Sequence, residues 1–182
     1  MLVKALELLL GTLCFGCFAW GTLWHFRWEA NGSKGAWAIS LLSWAGYLTF
    51  MWQAAMAAPR SGWQIACVLM LGAFLLWLWT VRVTRANPPT LAYTQDTPVT
   101  IFQAGPYGWV RHPFYTAYMV FWFAAALADA AWLSWLICIA LGAIYFAAAR
   151  HEECKFARSD HAAAYQRYAA HAGMFFPRVL KG

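Results

Sequence analysis

Charge is scarce in this chain. Only 11% of its 182 residues are Asp, Glu, Lys or Arg, against about 25% in soluble domains. Hydrophobic residues reach 63%, aromatics 19%, and there are 13 tryptophans. A globular domain of this size has too little interior to hide so much apolar surface. A disordered chain would be polar and poor in aromatics. Both classes are excluded, and part of the solvent must be lipid. Also missing are a Gly-rich phosphate loop, a nucleophile elbow and a paired-Asp motif.

No disulfide framework is present either. Of Cys14, Cys17, Cys67, Cys138 and Cys154, four lie inside apolar runs. Cys14-Phe15-Gly16-Cys17 has the CxxC spacing, but it sits mid-way along an apolar helix rather than in the βαβ setting of a redox site. It reads as two small thiols one helical turn apart. His151 and Cys154 share a helix face, yet no second ligand pair stands at a metal spacing, so no metal is expected.

Five apolar runs are present: Leu2–Trp24, Ala36–Ala58, Trp63–Val81, Pro113–Ala128 and Ala131–Ala149. A spanning helix needs about 20 such residues. The first run carries Lys4 and Glu7 and is followed by no small-residue cleavage site, so it reads as a retained helix. The fourth would be roughly 24 Å long, slightly short of a ~30 Å hydrocarbon core. A spanning hairpin of runs four and five is favoured over a re-entrant one, given the tight link around Asp129. Beyond Arg150, Phe156, Tyr165 and Tyr168 recur at helical spacing among polar residues. Residues 150–171 therefore read as an emerging helix followed by an amphipathic segment on the interface, with Phe175, Phe176 and Pro177 ending the pattern. The expected fold is all-α and integral to the membrane. It has about five transmembrane helices, the last two a tight hairpin, plus a C-terminal amphipathic helix. One domain, 1–182, divides into three N-terminal helices (1–81), a polar loop (82–112), the hairpin (113–149) and a C-terminal segment (150–182).

The net charge of +6 has a topological reading. Eleven Lys and Arg fall in the 24–36 loop, the 82–112 loop and the tail, leaving only Lys4 and Arg60 for the other face. That asymmetry places the 82–112 loop and the tail in the cytoplasm, in a multi-pass, bacterial-type inner-membrane arrangement. It also accounts for the basic pI without a nucleic-acid partner. Trp20, Trp24, Trp28, Trp37, Trp63 and Trp79 fall near run ends, as an interfacial belt requires. His25 and His171 read as surface residues.

Two polar constellations share the cytoplasmic face. In the first, Gly105-Pro106 marks a turn, and Pro113 opens a helix and biases His112 toward an extended conformation. Arg111 and His112 then stand at a helix mouth, where free N–H groups and the dipole favour an anion such as a carboxylate or phosphate. An interfacial lipid anchor is the alternative. In the second, Glu152 and Glu153 close run five, where adjacent carboxylates need solvent or partners. Run four begins at this face and run five ends there, so the two constellations meet. The pairing of cation with anion suits a zwitterionic amino-acid group. A structural Arg111–glutamate bridge is the alternative.

At these residues the chain resembles a known family. Gly105-Pro106-Tyr107-x-x-Val110-Arg111-His112-Pro113-x-Tyr115, then Glu152-Glu153, Tyr165-x-x-Tyr168 and a late Pro177, are similar to the isoprenylcysteine carboxyl methyltransferases, which are grouped with membrane phospholipid methyltransferases. The resemblance covers residues 95–178. It implies an enzyme that uses S-adenosylmethionine at the cytoplasmic end of the last helices, without a Rossmann fold. It carries cofactor contacts onto Val99, Thr100, Ile101, Phe102, Tyr107, His112, Pro113, Phe114, Tyr115, Glu152 and Glu153. Arg111 joins them from the anion-site reading, and Arg150 is the candidate for meeting the substrate. Arg150, Glu152 and Glu153 are thus the expected catalytic residues. Ala117 stands where many members have Gly, and the spacing from Glu153 to Tyr165 is about one residue longer than usual.

The expected partners are membrane lipids and a lipophilic acceptor entering from the bilayer. A carboxylate acceptor needs no base, whereas an amine would require a glutamate or histidine to take its proton. The competing readings are an NADPH-dependent membrane reductase and a non-enzymatic membrane scaffold. The acceptor and the oligomeric state stay open at this level.

Overall fold

The computed structural model describes residues 2–27, 34–56, 62–90, 100–129 and 131–178. Among them the regular structure is helical: α1 Leu2–Trp20, α2 Lys34–Met56, α3 Trp63–Thr84, α4 Pro113–Asp129, α5 Trp132–Ala157 and α6 Ala162–His171. A π-helical turn, Gly21–His25, extends α1, and a 3₁₀ turn occupies Gly105–Gly108.

Among the described residues, three stretches are long and apolar enough to cross a membrane: Val3–His25, Trp63–Thr84 and Trp132–Ala157. The all-helical, membrane-spanning character expected from the sequence is present in these helices, while α2 and α4 fall short of the same measure. α4 is apolar but only 17 residues long. α2 has the length, at 23 residues, but Ser40, Ser43, Gln53 and three glycine or threonine interruptions dilute its apolar character. α5 runs on past Ala149 through the charged Arg150–Lys155 stretch as one unbroken helix. Only after a break at Arg158–His161 does the short α6 begin.

α4 is the hub and packs on α1, α2, α3 and α5. The reason is compositional. Ala117, Ala124, Ala125 and Ala128 are all buried on it, and small side chains let neighbouring backbones approach closely where lipid offers no hydrophobic drive. Ala117 is fully buried. Large rings fill the space the alanines leave: Phe18, Phe121 and Trp77 meet at centroid distances of 5.4 to 5.6 Å. Outward, Trp20, Trp24, Trp37 and Trp79 are exposed, as a lipid-facing belt would be.

His25 departs from the expected surface position. It is buried, with its ring Nε2 2.8 Å from Thr84 Oγ1. The cause is the π turn: Phe26 N–H donates to the Gly21 carbonyl five residues back. The extra residue in that turn rotates the next stretch of chain relative to an α-helical continuation. The chain then pairs Arg27 with Thr90 in a parallel bridge, Arg27 N–H donating to the Pro89 carbonyl at 3.0 Å.

Candidate active site

The site is built from a turn, a helix start, a helix end and the returning tail. Gly105 adopts φ +59°, and a Cβ there would stand 2.7 Å from Val83 Cγ2. Only glycine both takes that conformation and lets the turn press on α3. Pro106 and the turn deliver Tyr107, which is buried with its ring 5.2 Å from Phe102 and tilted by 32°.

After the turn, residues 109–112 run beside the tail. Val110 bridges Gly173 in parallel, Gly173 N–H donates to the Trp109 carbonyl, and Arg111 and His112 N–H donate to the carbonyls of Gly173 (2.7 Å) and Met174 (3.2 Å). The tail carbonyls thus satisfy the amides of Arg111 and His112 themselves. A side chain at Gly173 would collide with the Phe176 carbonyl, so a glycine makes this return possible.

The side chains divide the two glutamates between two tasks. Neighbours on a helix point about 100° apart. Glu153 turns to Arg111, which donates through Nε at 2.8 Å and through its terminal nitrogen at 2.7 Å. Arg111 also donates to the carbonyls of Ala172 (2.6 Å) and Ala169 (3.4 Å). Arg111–Glu153 is therefore a clamp between the α4 entrance, α5 and the tail. Glu152 instead faces the cavity. The Tyr115 hydroxyl donates to it, and His112 Nδ1 lies 3.6 Å from its other oxygen. His112 Nε2 is 3.2 Å from Glu153, so the imidazole links both carboxylates, with its ring stacked on Tyr115.

Aromatic residues from the tail close the floor. Phe156 and Tyr165 stack at 4.5 Å and 2°, and the Tyr168 hydroxyl donates to the Tyr107 carbonyl at 2.7 Å. Burial pushes the phenols of Tyr107, Tyr165 and Tyr168 well above the usual tyrosine range. They remain protonated donors at any physiological pH.

These groups line a cavity of about 710 Å³, within the roughly 300–1,000 Å³ of small-molecule sites. Of the expected contacts, Thr100, Phe102, Tyr107, Arg111, His112, Pro113, Phe114, Tyr115 and Glu152 line it. Ile101 packs instead on Tyr165, Tyr168 and Ala172. Glu153 serves the clamp. Arg150 is 60% exposed, leans on Glu153 at 3.9 Å and is not part of the cavity wall. Val99 lies outside the described residues.

The cavity also extends where sequence reasoning placed nothing. Thr22 and Leu23 of the π turn, and Trp37, Ser40, Ser43 and Trp44 of α2, form its flank. Tyr118 and Tyr145 join the two ends, with Ser43 and Trp122 within hydrogen-bonding reach of the Tyr145 hydroxyl. A signal existed. Tyr118 stands three residues from Tyr115 and Tyr145 seven from Glu152, spacings that share a helix face. Trp37, Ser40, Ser43 and Trp44 likewise recur at helical spacing in the least apolar run.

Comparison with known proteins bears on residues 62–162, which match the phospholipid methyltransferase family model. No curated protein and no solved structure matches the chain. The matched region runs from α3 to the start of α6 and includes the turn, His112, Tyr115 and both glutamates. It displaces the reductase and scaffold readings, which shared the topology but not the motif. With more than half of its length matched and its apolar helices gathered around a polar-floored cavity, the chain belongs to the phospholipid methyltransferase family and is an integral-membrane methyltransferase.

Proposed function

We propose that the protein transfers a methyl group from S-adenosylmethionine to a lipophilic acceptor, an isoprenylcysteine carboxylate being one such compound. The reaction would take place at the cytoplasmic face of a bacterial-type inner membrane. The observation that carries this reading is the union, in one cavity, of a polar floor with a flank walled by lipid-exposed side chains. Leu23, Trp37 and Trp44 line the flank and are each more than half exposed. An amphiphile would thus reach the polar end without leaving an apolar environment.

The donor set fits the cofactor. A methionine-type zwitterion needs an anion for its ammonium, donors for its carboxylate and a dry wall for its apolar part. Glu152 supplies the first, the His112 ring can donate to the second, and the rings of Tyr107, Phe102 and Phe156 supply the third. When bound, the cofactor supplies an electrophilic methyl group on a sulfonium. The chain's contribution is orientation and exclusion of water. Tyr115 holds the Glu152 carboxylate in place, the Tyr168–Tyr107 bond shuts the tail over the floor, and the Arg111–Glu153 clamp fixes both. A carboxylate acceptor arrives ionised and asks nothing more. For an amine, Glu152 or His112 would receive the proton, since both line the cavity.

Five spans are retained here, with α4 and α5 as a hairpin. The Tyr115–Glu152 and His112–Glu153 contacts bring the start of α4 beside the late turns of α5, as an antiparallel pair requires. Calorimetric titration of S-adenosylhomocysteine in detergent tests the site. His112→Ala and Glu152→Ala are each expected to weaken binding about 10- to 100-fold, the range for losing a charged hydrogen bond, without loss of helix content. Unchanged affinity in both variants overturns it.

A further inference from the structure

Among the described residues, the cavity wall carries two guanidinium groups, Arg27 and Arg111, together with the imidazole of His112 and the carboxyl of Glu152. Three of them are tied to carboxylates or are carboxylates themselves. Arg27 differs. Its only described side-chain partner is the neutral Asn87, whose Oδ1 accepts from it at 2.5 Å. Among the described residues no carboxylate lies within ion-pair distance of it. Its backbone is fixed by the bridge to Thr90, and Asn87 is fixed in turn by donating to Thr100 at 2.7 Å. The guanidinium is therefore exposed, held in place and not neutralised by this set, on the wall of the cavity.

Its level is informative too. Arg27 comes after the exposed Trp20 and Trp24, the side chains that mark a membrane–water boundary. It stands just beyond the π turn whose Thr22 and Leu23 belong to the lipid-side flank. An amphiphile lying along that flank would carry its headgroup at this height. Arg150, the cation expected to meet the acceptor, stands off the wall.

From this we infer that Arg27 is the anion-recognition residue for the acceptor, pairing with the carboxylate or phosphate of an amphiphile whose tail lies in the α1–α2 flank. The inference rests on the methyltransferase reading for the word acceptor only. The binding step stands by itself. A planar guanidinium grips either oxyanion through two parallel donors, so the shared chemistry is a lipid-borne oxyanion. Position 27 lies outside the matched region 62–162, so the family match assigns it no role.

The test is binding to the full-length protein in neutral detergent, with two probe pairs. N-acetyl-S-farnesylcysteine against its methyl ester reports a carboxylate. Lysophosphatidylethanolamine against a monoacylglycerol of equal chain length reports a phosphate. The wild type is expected to prefer the charged member of one pair, and that pair identifies the source. Arg27→Gln should weaken the preferred anion about tenfold, Arg27→Lys should restore part of it, and the neutral counterpart should not change. Asn87→Ala, which removes the tether but keeps the charge, should stay within about threefold of wild type. If Arg27→Gln does not fold, salt decides: wild-type affinity for the anion should fall as ionic strength rises and that for the neutral probe should not. No preference in either pair, equal losses for charged and neutral probes, or an Asn87→Ala loss matching Arg27→Gln would each overturn the inference. S-adenosylhomocysteine is titrated alongside. If it fails to bind the wild type while the anion preference holds, the cofactor reading falls and the role of Arg27 stands.

Discussion

At its floor the cavity is walled by His112, Tyr115 and Glu152, whose polar atoms are engaged with one another and, through Glu153 and Arg111, with the tail. At its flank it is walled by Ser40, Ser43, Trp37 and Trp44, which carry no charge: Ser40 donates to the carbonyl of Ala36 within its own helix, and Ser43 reaches the neutral Tyr145 hydroxyl. The floor joins segments some forty to sixty residues apart through charged hydrogen bonds. The flank is two helix surfaces facing lipid. A change at the floor therefore propagates through the fold, and a change at the flank stays local. On the proposed reaction, the first suits the methyl donor and the second the lipophilic acceptor. The family match covers the floor from Tyr107 to Glu153, and it covers neither α1 and α2 nor the tail residues Tyr165, Tyr168 and Gly173 that close the floor.

The sharpest way to break that contrast is at the clamp. Arg111→Ala would leave Glu153 without its main partner and two tail carbonyls without a donor, at side-chain exposures of only 10% and 13%. Removing one member of a buried pair costs about 3–5 kcal/mol. The unfolding temperature in detergent should fall by roughly 10 °C for a chain of this size. The tail beyond Arg158 should become open to limited proteolysis, because the clamp is among the bonds that hold it. A variant with wild-type stability would mean that the floor is not a network at all.

Next in size is a change confined to the flank. Ser40→Phe puts a ring into the cavity wall and gives up only an intrahelical hydrogen bond. It should raise the KM for a lipophilic acceptor about tenfold, the scale on which a few methylenes matter in an apolar pocket. S-adenosylhomocysteine affinity should stay within about twofold of wild type. If both fall together, the two ends are one site and the division is wrong.

How much of this was legible in the residues depends on the range of the interaction. Apolar runs place the starts of α1 to α5 within a few residues, because lipid burial is a property of each helix by itself, whereas the charged end of α5 runs eight residues past its apolar run. The turn at Gly105-Pro106 and the helix start at Pro113 were equally legible, since glycine and proline act locally. The Glu152-Glu153 pair announced itself by being costly at the end of an apolar run. Which glutamate faces the cavity did not, for that depends on the rotation of α5 against α4. Nor did the pairing of Trp109–His112 with Gly173–Met174, a contact across about sixty residues with no periodic signature. His25 was misplaced because no residue type marks a π turn. The flank was overlooked because serine and tryptophan in an apolar run read as dilution rather than as wall.

The smallest expected effect concerns how the tail shuts the floor, and it separates a hydrogen bond from packing. Tyr168 is buried beside Tyr165 and Ala172, and its hydroxyl donates to the Tyr107 carbonyl. Tyr168→Phe keeps the ring and removes the donor, which should cost about 1 kcal/mol. The pH dependence is set by the sign of the shift. Burial raises the Tyr168 phenol above the ordinary tyrosine value, so the folded state holds this proton more tightly than the unfolded chain. The bond's contribution is then fully present below the unfolded value of about 10 and is lost only as pH climbs beyond it. The gap in unfolding temperature between wild type and Tyr168→Phe should thus be constant from about pH 6 to about pH 9 and begin to close above that. A gap that varies across the neutral range would mean that the substitution disturbs His112 or the glutamates instead. The tail would then belong to the charged network of the floor rather than covering it.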